Sequence, residues 1–143
     1  MIPKIIHVCW LSGESFPPVI LDCLDSWSKY LSDYDLYFWG KFPPHFDDYK
    51  ERFKSVRLCN FDISSTLWTK EAFEAKKYAF AADYIRLYAV YHYGGIYLDS
   101  DVIMYKSFDP LLSLSYFIGQ DHEGGFEPAI FGAEKECPWI KLI

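Results

Sequence analysis

The sequence predicts an α/β protein, with a Rossmann-like, mostly parallel sheet flanked by helices. Three observations point there. Short apolar runs, of the kind that buried parallel strands show, recur along the chain. Stretches with helical periodicity separate them, so the order reads β-α-β-(α)-β-α-β. The 143 residues are enough chain for one domain and contain no internal repeat or linker.

The elements follow in order. Ile5 to Leu11 (IIHVCWL) is almost continuously apolar and ends at Ser12-Gly13, which reads as a buried strand. Pro17-Pro18 open a segment in which Ile20, Leu21, Leu24, Trp27 and Leu31 fall at helical spacing. Ser32 to Asp35 has turn chemistry, and Leu36 to Trp39 reads as a second strand broken by Gly40 and Pro43-Pro44. A short helix is expected near Asp47 to Phe53, and a third strand over Val56 to Asn60. Glu71 to Tyr93 is expected to be one continuous helix. It has no Gly or Pro, it has six alanines, and Gly94-Gly95 supplies the stop. Ile96 to Leu98 reads as a strand running into Asp99-Ser100-Asp101, with Val102 to Tyr105 extending its apolar pattern. Tyr116 to Gly119 and Ala129 to Gly132 are two further strands, and Pro138 to Ile143 reads as helix.

Composition narrows the function. Apolar residues make up 51% and charged residues 24%, which excludes general disorder. With 14 basic and 20 acidic residues the net charge is −6, so the electrostatic footprint of a nucleic-acid binder is missing. A phosphate-bearing ligand would need a metal cation or a few placed donors. Cys9, Cys23, Cys59 and Cys137 have no paired spacing and read as reduced thiols. His7, His45, His92 and His122 show no zinc spacing and read as packed or surface residues. No segment has the pattern of a signal peptide or a membrane-spanning helix.

Three local signals carry chemistry. Asp99 and Asp101 leave the end of an apolar strand, where open α/β sheets bind ligands. In an extended backbone their carboxylates would project to one side, about 6.6 Å apart at Cα. Such a pair suits one hard divalent cation that also takes ligand phosphates. Asp83 and Arg86 lie at i and i+3 within an alanine-rich stretch. They read either as an intrahelical ion pair or as a site for hydroxyls and phosphates. Trp10 ends the first strand. It is either core or a stacking surface for a planar base, with Ser12 and Gly13 offering backbone groups beside it.

The order of these signals resembles a known family. Ala81-Ala82-Asp83-Tyr84-Ile85-Arg86-Leu87-Tyr88-Ala89-Val90, then Tyr93-Gly94-Gly95-Ile96-Tyr97-Leu98-Asp99-Ser100-Asp101-Val102, closely resembles the sugar-binding-region glycosyltransferases with a D-x-D motif. That family includes yeast initiating α-1,6-mannosyltransferases, bacterial capsular-polysaccharide sugar transferases and, more distantly, the clostridial glucosylating toxins. Ile2-Pro3-Lys4-Ile5-Ile6-His7-Val8-Cys9-Trp10-Leu11 is similar to its first strand, and Phe108-Asp109-Pro110-Leu111-Leu112 to its stretch after D-x-D.

The resemblance implies a GT-A nucleotide-diphospho-sugar transferase fold. It also implies a retaining, metal-dependent transfer from a UDP- or GDP-linked donor to a glycan or lipid-linked glycan acceptor. Polysaccharide or capsule biosynthesis is the implied setting. By position, the substrate-binding residues would be Trp10, Leu11, Ser12, Asp83, Arg86, Tyr97 and Asp99. The catalytic set would be Asp83, Arg86, Asp99 and Asp101, with Asp99 and Asp101 on Mn²⁺ or Mg²⁺. Residues 1–143 are expected to be one donor-binding domain cut before the acceptor side is finished. The high aromatic fraction, 20%, suits that expectation, with Phe117, Phe126, Phe131 and Trp139 awaiting further packing partners. The competing expectation is a non-catalytic nucleotide-sugar-binding module. A cytoplasmic location is expected, with peripheral association at the inner membrane face.

Overall fold

A computed structural model describes residues 1–120 and 122–141. The elements are β1 (Ile5–Trp10), α1 (Pro18–Tyr30), β2 (Asp35–Gly40), α2 (Asp47–Lys50), β3 (Ser55–Cys59), α3 (Leu67–Glu74), α4 (Tyr78–Tyr93), β4 (Gly95–Leu98), β5 (Tyr116–Gln120), β6 (Phe126–Ala133) and α5 (Pro138–Lys141). Single 3-10 turns occupy Ile63–Ser65 and Asp109–Leu111. The expected helix from Pro138 is present as far as Lys141, and its last two positions lie outside the described residues.

One six-stranded sheet runs in the order β3-β2-β1-β4-β6-β5. The pairings β1–β2, β2–β3 and β1–β4 are parallel, as the apolar runs predicted. Both pairings of β6, with β4 and with β5, are antiparallel. The loop between β5 and β6 is short enough for a direct hairpin, and a helical crossover is needed only for parallel neighbours.

The central strands are covered on both faces, and side chains alternate between two cores. Ile6, Val8, Leu36, Phe38, Ile96 and Leu98 pack with Leu24 and Trp27 of α1. Leu11, Trp39 and Cys59 pack with Ala81, Ile85 and Ala89 of α4. Tyr97, Phe131 and Ala133 join Val90 and Ile140 in a third cluster. This explains why β1 and β4 read as continuous apolar runs rather than alternating ones.

His7 is fully buried on the α4 side. Its Nε2 lies 2.8 Å from the Gly94 carbonyl, and the Trp39 indole N–H donates to its Nδ1 at 3.0 Å. That pairing fixes the neutral tautomer with the proton on Nε2. Burial pushes the His7 pKa down to about 4. The histidine thus holds the turn into β4 against β1. Gly95 completes this joint. Its φ is +110°, and a Cβ there would come within 2.7 Å of the Ile5 carbonyl oxygen.

Two sequence expectations fail for local reasons. The helix expected over Glu71 to Tyr93 is two helices, α3 and α4. Lys76 has φ +58°. The Lys76 N–H donates to the Phe73 carbonyl at 2.9 Å and the Lys77 N–H to the Ala72 carbonyl at 2.8 Å. This is the bond pattern of a Schellman motif, built on lysine instead of glycine, so no breaker residue marks it. Val102 to Tyr105 is not a strand. The Trp27 indole donates to the Val102 carbonyl at 2.7 Å, and the Ser26 hydroxyl accepts from the Met104 N–H at 2.9 Å. Side chains of α1 take the backbone groups that a sheet neighbour would have used.

Candidate active site

The sheet order reverses between β1 and β4. From β1 the chain crosses to β2 on one side, and β4 enters on the other. A crevice opens at such a switch point, beyond the carboxyl ends of the two strands. Here β1 delivers Trp10, Leu11 and Ser12, and β4 delivers Asp99, Ser100 and Asp101. Together with Arg86 of α4 and Tyr97 they line one cleft of 410 Å³.

Arg86 organises the cleft. Its side chain is only 11% exposed. Nη2 lies 2.9 Å from Oδ1 of Asp83 and 3.4 Å from Oδ1 of Asp99, while Nη1 donates to the Pro128 carbonyl at 3.0 Å. The guanidinium also stands 4.9 Å from the centre of the Tyr97 ring, a cation–π contact. The ion pair with Asp83 is therefore real, but it is one arm of a junction joining α4, β4 and β6.

Asp99 and Asp101 share the cleft without the extended backbone expected of them. The Val102 N–H donates to the Asp99 carbonyl at 3.1 Å, which closes a turn. Asp99 is anchored, since its N–H donates to the Ala129 carbonyl at 2.9 Å. Burial raises its pKa, opposed by the Arg86 charge and by the Tyr97 hydroxyl. Asp101 is exposed, and its carboxylate has no hydrogen bond or ion pair among the described residues. No third His, Cys, Asp or Glu joins the two in a metal-binding cluster among those residues. Two carboxylates leave most of a hard cation's positions to water and phosphate oxygens. The donor set fits Mg²⁺ or Mn²⁺ held jointly with a diphosphate.

Trp10 is half-buried, with its ring 4.7 Å from that of Phe16. The indole N–H donates to the Glu14 carbonyl at 2.9 Å. The Ser12 hydroxyl accepts from the Glu14 N–H at 3.1 Å, so it shapes this loop rather than waiting free. Tyr97 is 2% exposed. Its ring lies between the Arg86 guanidinium and Phe131, at 5.9 Å from the latter. Burial pushes its phenol well above the ordinary range. It acts here as a support under Arg86.

Asp83 does not line the cleft. It lies with Arg86 on a neighbouring pocket. Sequence reasoning missed Glu14, Tyr78 and Ala82, which also line the cleft. It also missed Asn60, which lines a smaller pocket sharing Leu11 with the cleft. A polar residue just past the end of a parallel strand was the signal available for Asn60.

The fold is of the GT-A, nucleotide-diphospho-sugar transferase-like type. A solved structure described as PaToxG Glycosyltransferase superposes with a TM-score of 0.65, covering 98% of this chain and 57% of that one at 22% identity. Residues 17–118 match the family described as glycosyltransferase sugar-binding region containing DXD motif, and the chain belongs to that family. Curated relatives include inositol phosphoceramide mannosyltransferase 3 of Schizosaccharomyces pombe, 28% identical over 99% of this chain and 36% of the relative. Inositol phosphoceramide mannosyltransferase 1 of the same yeast is 27% identical over 97% and 40%. The chain thus spans well under half the length of these relatives.

Proposed function

We propose that this chain carries the donor site of a glycosyltransferase that moves a hexosyl group from a nucleoside-diphosphate sugar to a hydroxyl of a glycan or lipid-linked acceptor. Mannose is the sugar favoured by the names of the relatives. The observation that supports this reading is the convergence of Trp10, Arg86, Asp99 and Asp101 on one cleft at the β1/β4 switch point.

The geometry supports the following proposed roles. The Trp10 ring offers a face to the base, its orientation fixed by the Glu14 carbonyl. Asp99 and Asp101 would hold a divalent cation, which when bound neutralises the diphosphate and favours its departure. Arg86 is pinned by Asp83, Asp99 and Pro128, so it presents a fixed charge to the donor at no reorganisation cost. Tyr97 keeps water from the inner face of that guanidinium. Retention of anomeric configuration is part of the proposal and rests on the resemblance alone. Polysaccharide assembly rests on it as well, while a cytoplasmic site at the membrane face is proposed on the four unpaired cysteines.

The test is a screen of UDP- and GDP-linked sugars with Mn²⁺ or Mg²⁺, following release of the diphosphate. Turnover of one donor class is expected. A folded, full-length protein that binds and turns over none of them would refute the reading.

A further inference from the structure

The acidic turn of the cleft hangs between two supports. On one side the Asp99 N–H donates to the Ala129 carbonyl of β6 at 2.9 Å. On the other, α1 takes the backbone just past Asp101. The Trp27 indole N–H donates to the Val102 carbonyl at 2.7 Å, and the Met104 N–H donates to the Ser26 hydroxyl at 2.9 Å. The exposed carboxylate of Asp101 has no hydrogen bond or ion pair of its own among the described residues. Its place relative to Asp99 is therefore set by the backbone on either side of it.

We propose that Ser26 and Trp27 are positioning residues for the divalent cation. They act through the backbone of residues 102–104, holding Asp101 where it can share a metal with Asp99. The proposal rests on the glycosyltransferase reading above and adds what fixes the second carboxylate of its metal site.

Three observations carry it. First, both bonds are costly to break. Trp27 is fully buried, so loss of its bond would leave an N–H that water cannot reach. The Ser26 O–H donates to the Cys23 carbonyl at 2.6 Å. Its one proton is thus committed, and its lone pairs are left for the Met104 N–H. Second, adjacent residues of one helix grip chain that lies 75 and 78 positions away. Neither contact is needed to form α1 itself, and both fall within three residues of Asp101. Third, α1 is a wall of the same cleft, since Ile20 lines it together with Asp99 and Asp101. One helix therefore bounds the site and holds its acidic turn. Groups that orient a metal ligand in this way change metal affinity by about 10–100-fold when they are removed.

The experiment compares the wild type with Ser26→Ala, Ser26→Thr and Trp27→Phe in the full-length protein. Calorimetric titration with GDP and UDP, with and without Mn²⁺, reads the metal-dependent gain in nucleotide affinity. Hydrogen exchange at the Met104 amide of the metal-free protein reads the anchor directly. Ser26→Ala is expected to cut the metal-dependent gain about tenfold, to leave metal-free nucleotide affinity unchanged, and to speed exchange at Met104. Ser26→Thr keeps the oxygen and should restore both properties. Trp27→Phe keeps a ring without the donor and should also cut the gain. An undiminished gain in Ser26→Ala would overturn the proposal, whatever Trp27→Phe does. Equal losses with and without the metal, or a threonine that restores nothing, would overturn it too, since the role would then be structural only. The glycosyltransferase reading is judged by the wild type. A wild type with no metal-dependent gain refutes that reading, whereas a gain that the variants keep refutes the positioning role alone.

Discussion

Arg86 on α4 reaches Asp99 at the end of β4, with Nη2 and Oδ1 3.4 Å apart. This contact ties the helix that precedes the glycine turn to the acidic turn that follows the strand. It makes one unit of two motifs that are separate in sequence.

Arg86 should not tolerate lysine. The guanidinium meets Asp83, Asp99, the Pro128 carbonyl and the Tyr97 ring together, and an ammonium cannot reproduce a planar fork. Arg86→Lys and Arg86→Ala are both expected to lower kcat/KM for the sugar donor by about 10²–10³-fold, the size seen when a preorganised donor is removed. Steady-state kinetics decide this. A lysine variant close to wild type would mean that charge alone is needed.

Asp101 should be separable from the fold. It is exposed and makes no ion pair among the described residues. Asp101→Ala is therefore expected to melt within the ordinary ±0.5 kcal/mol of surface substitutions. It should lose the part of nucleotide stabilisation that requires Mg²⁺ or Mn²⁺. Thermal melts with and without the metal measure both halves.

Trp10 should contribute to free nucleotide binding. Its ring is half-buried against Phe16, so part of its face remains for a base. Trp10→Ala is expected to weaken nucleotide affinity by ~1–3 kcal/mol, the range for base–aromatic stacking. Trp10→Phe should retain part of it. Calorimetric titration that finds equal affinity in all three proteins would assign the ring to packing.

His7 gives the fold an acid limit. It is neutral and buried, with a pKa lowered to about 4 against the usual 6.5. Between those values the unfolded chain binds the proton and the folded chain does not. Stability is thus full above pH 6.5 and falls by about 3 kcal/mol as the pH drops to 4. Urea unfolding across that window should show the decline in the wild type. The His7→Asn variant should start lower and lose less over the same window.

Much of the site was legible in the sequence because its residues stand at strand ends. Trp10 and the Asp99–Asp101 pair are marked by the apolar runs before them, and the sheet order brings them together. What escaped notice was set by tertiary contacts. The break at Lys76 depends on a left-handed lysine where glycine would have announced it. The turn after Asp99 depends on Trp27 and Ser26, some 75 residues earlier, taking the backbone groups of Val102 and Met104. Of the rings expected to await partners, Phe131 is buried, and Phe117 lies 5.8 Å from Phe108. Phe126 is 79% exposed, and Trp139 borders the pocket of Asp83 and Arg86. Asp83 could be placed on the same helix face as Arg86 from spacing alone. Which side of Arg86 it occupies follows from the docking of β6, which no local pattern encodes.

The central claim is that the β1/β4 cleft holds a nucleoside diphosphate through a metal on Asp99 and Asp101. The most direct measurement is calorimetric titration of the full-length protein with UDP and GDP, with and without Mg²⁺. Binding of one nucleotide at least tenfold tighter with the metal, and loss of that gain in Asp101→Ala, is the expected result. Nucleotide binding of equal strength with and without Mg²⁺, or none in a folded sample, would contradict it.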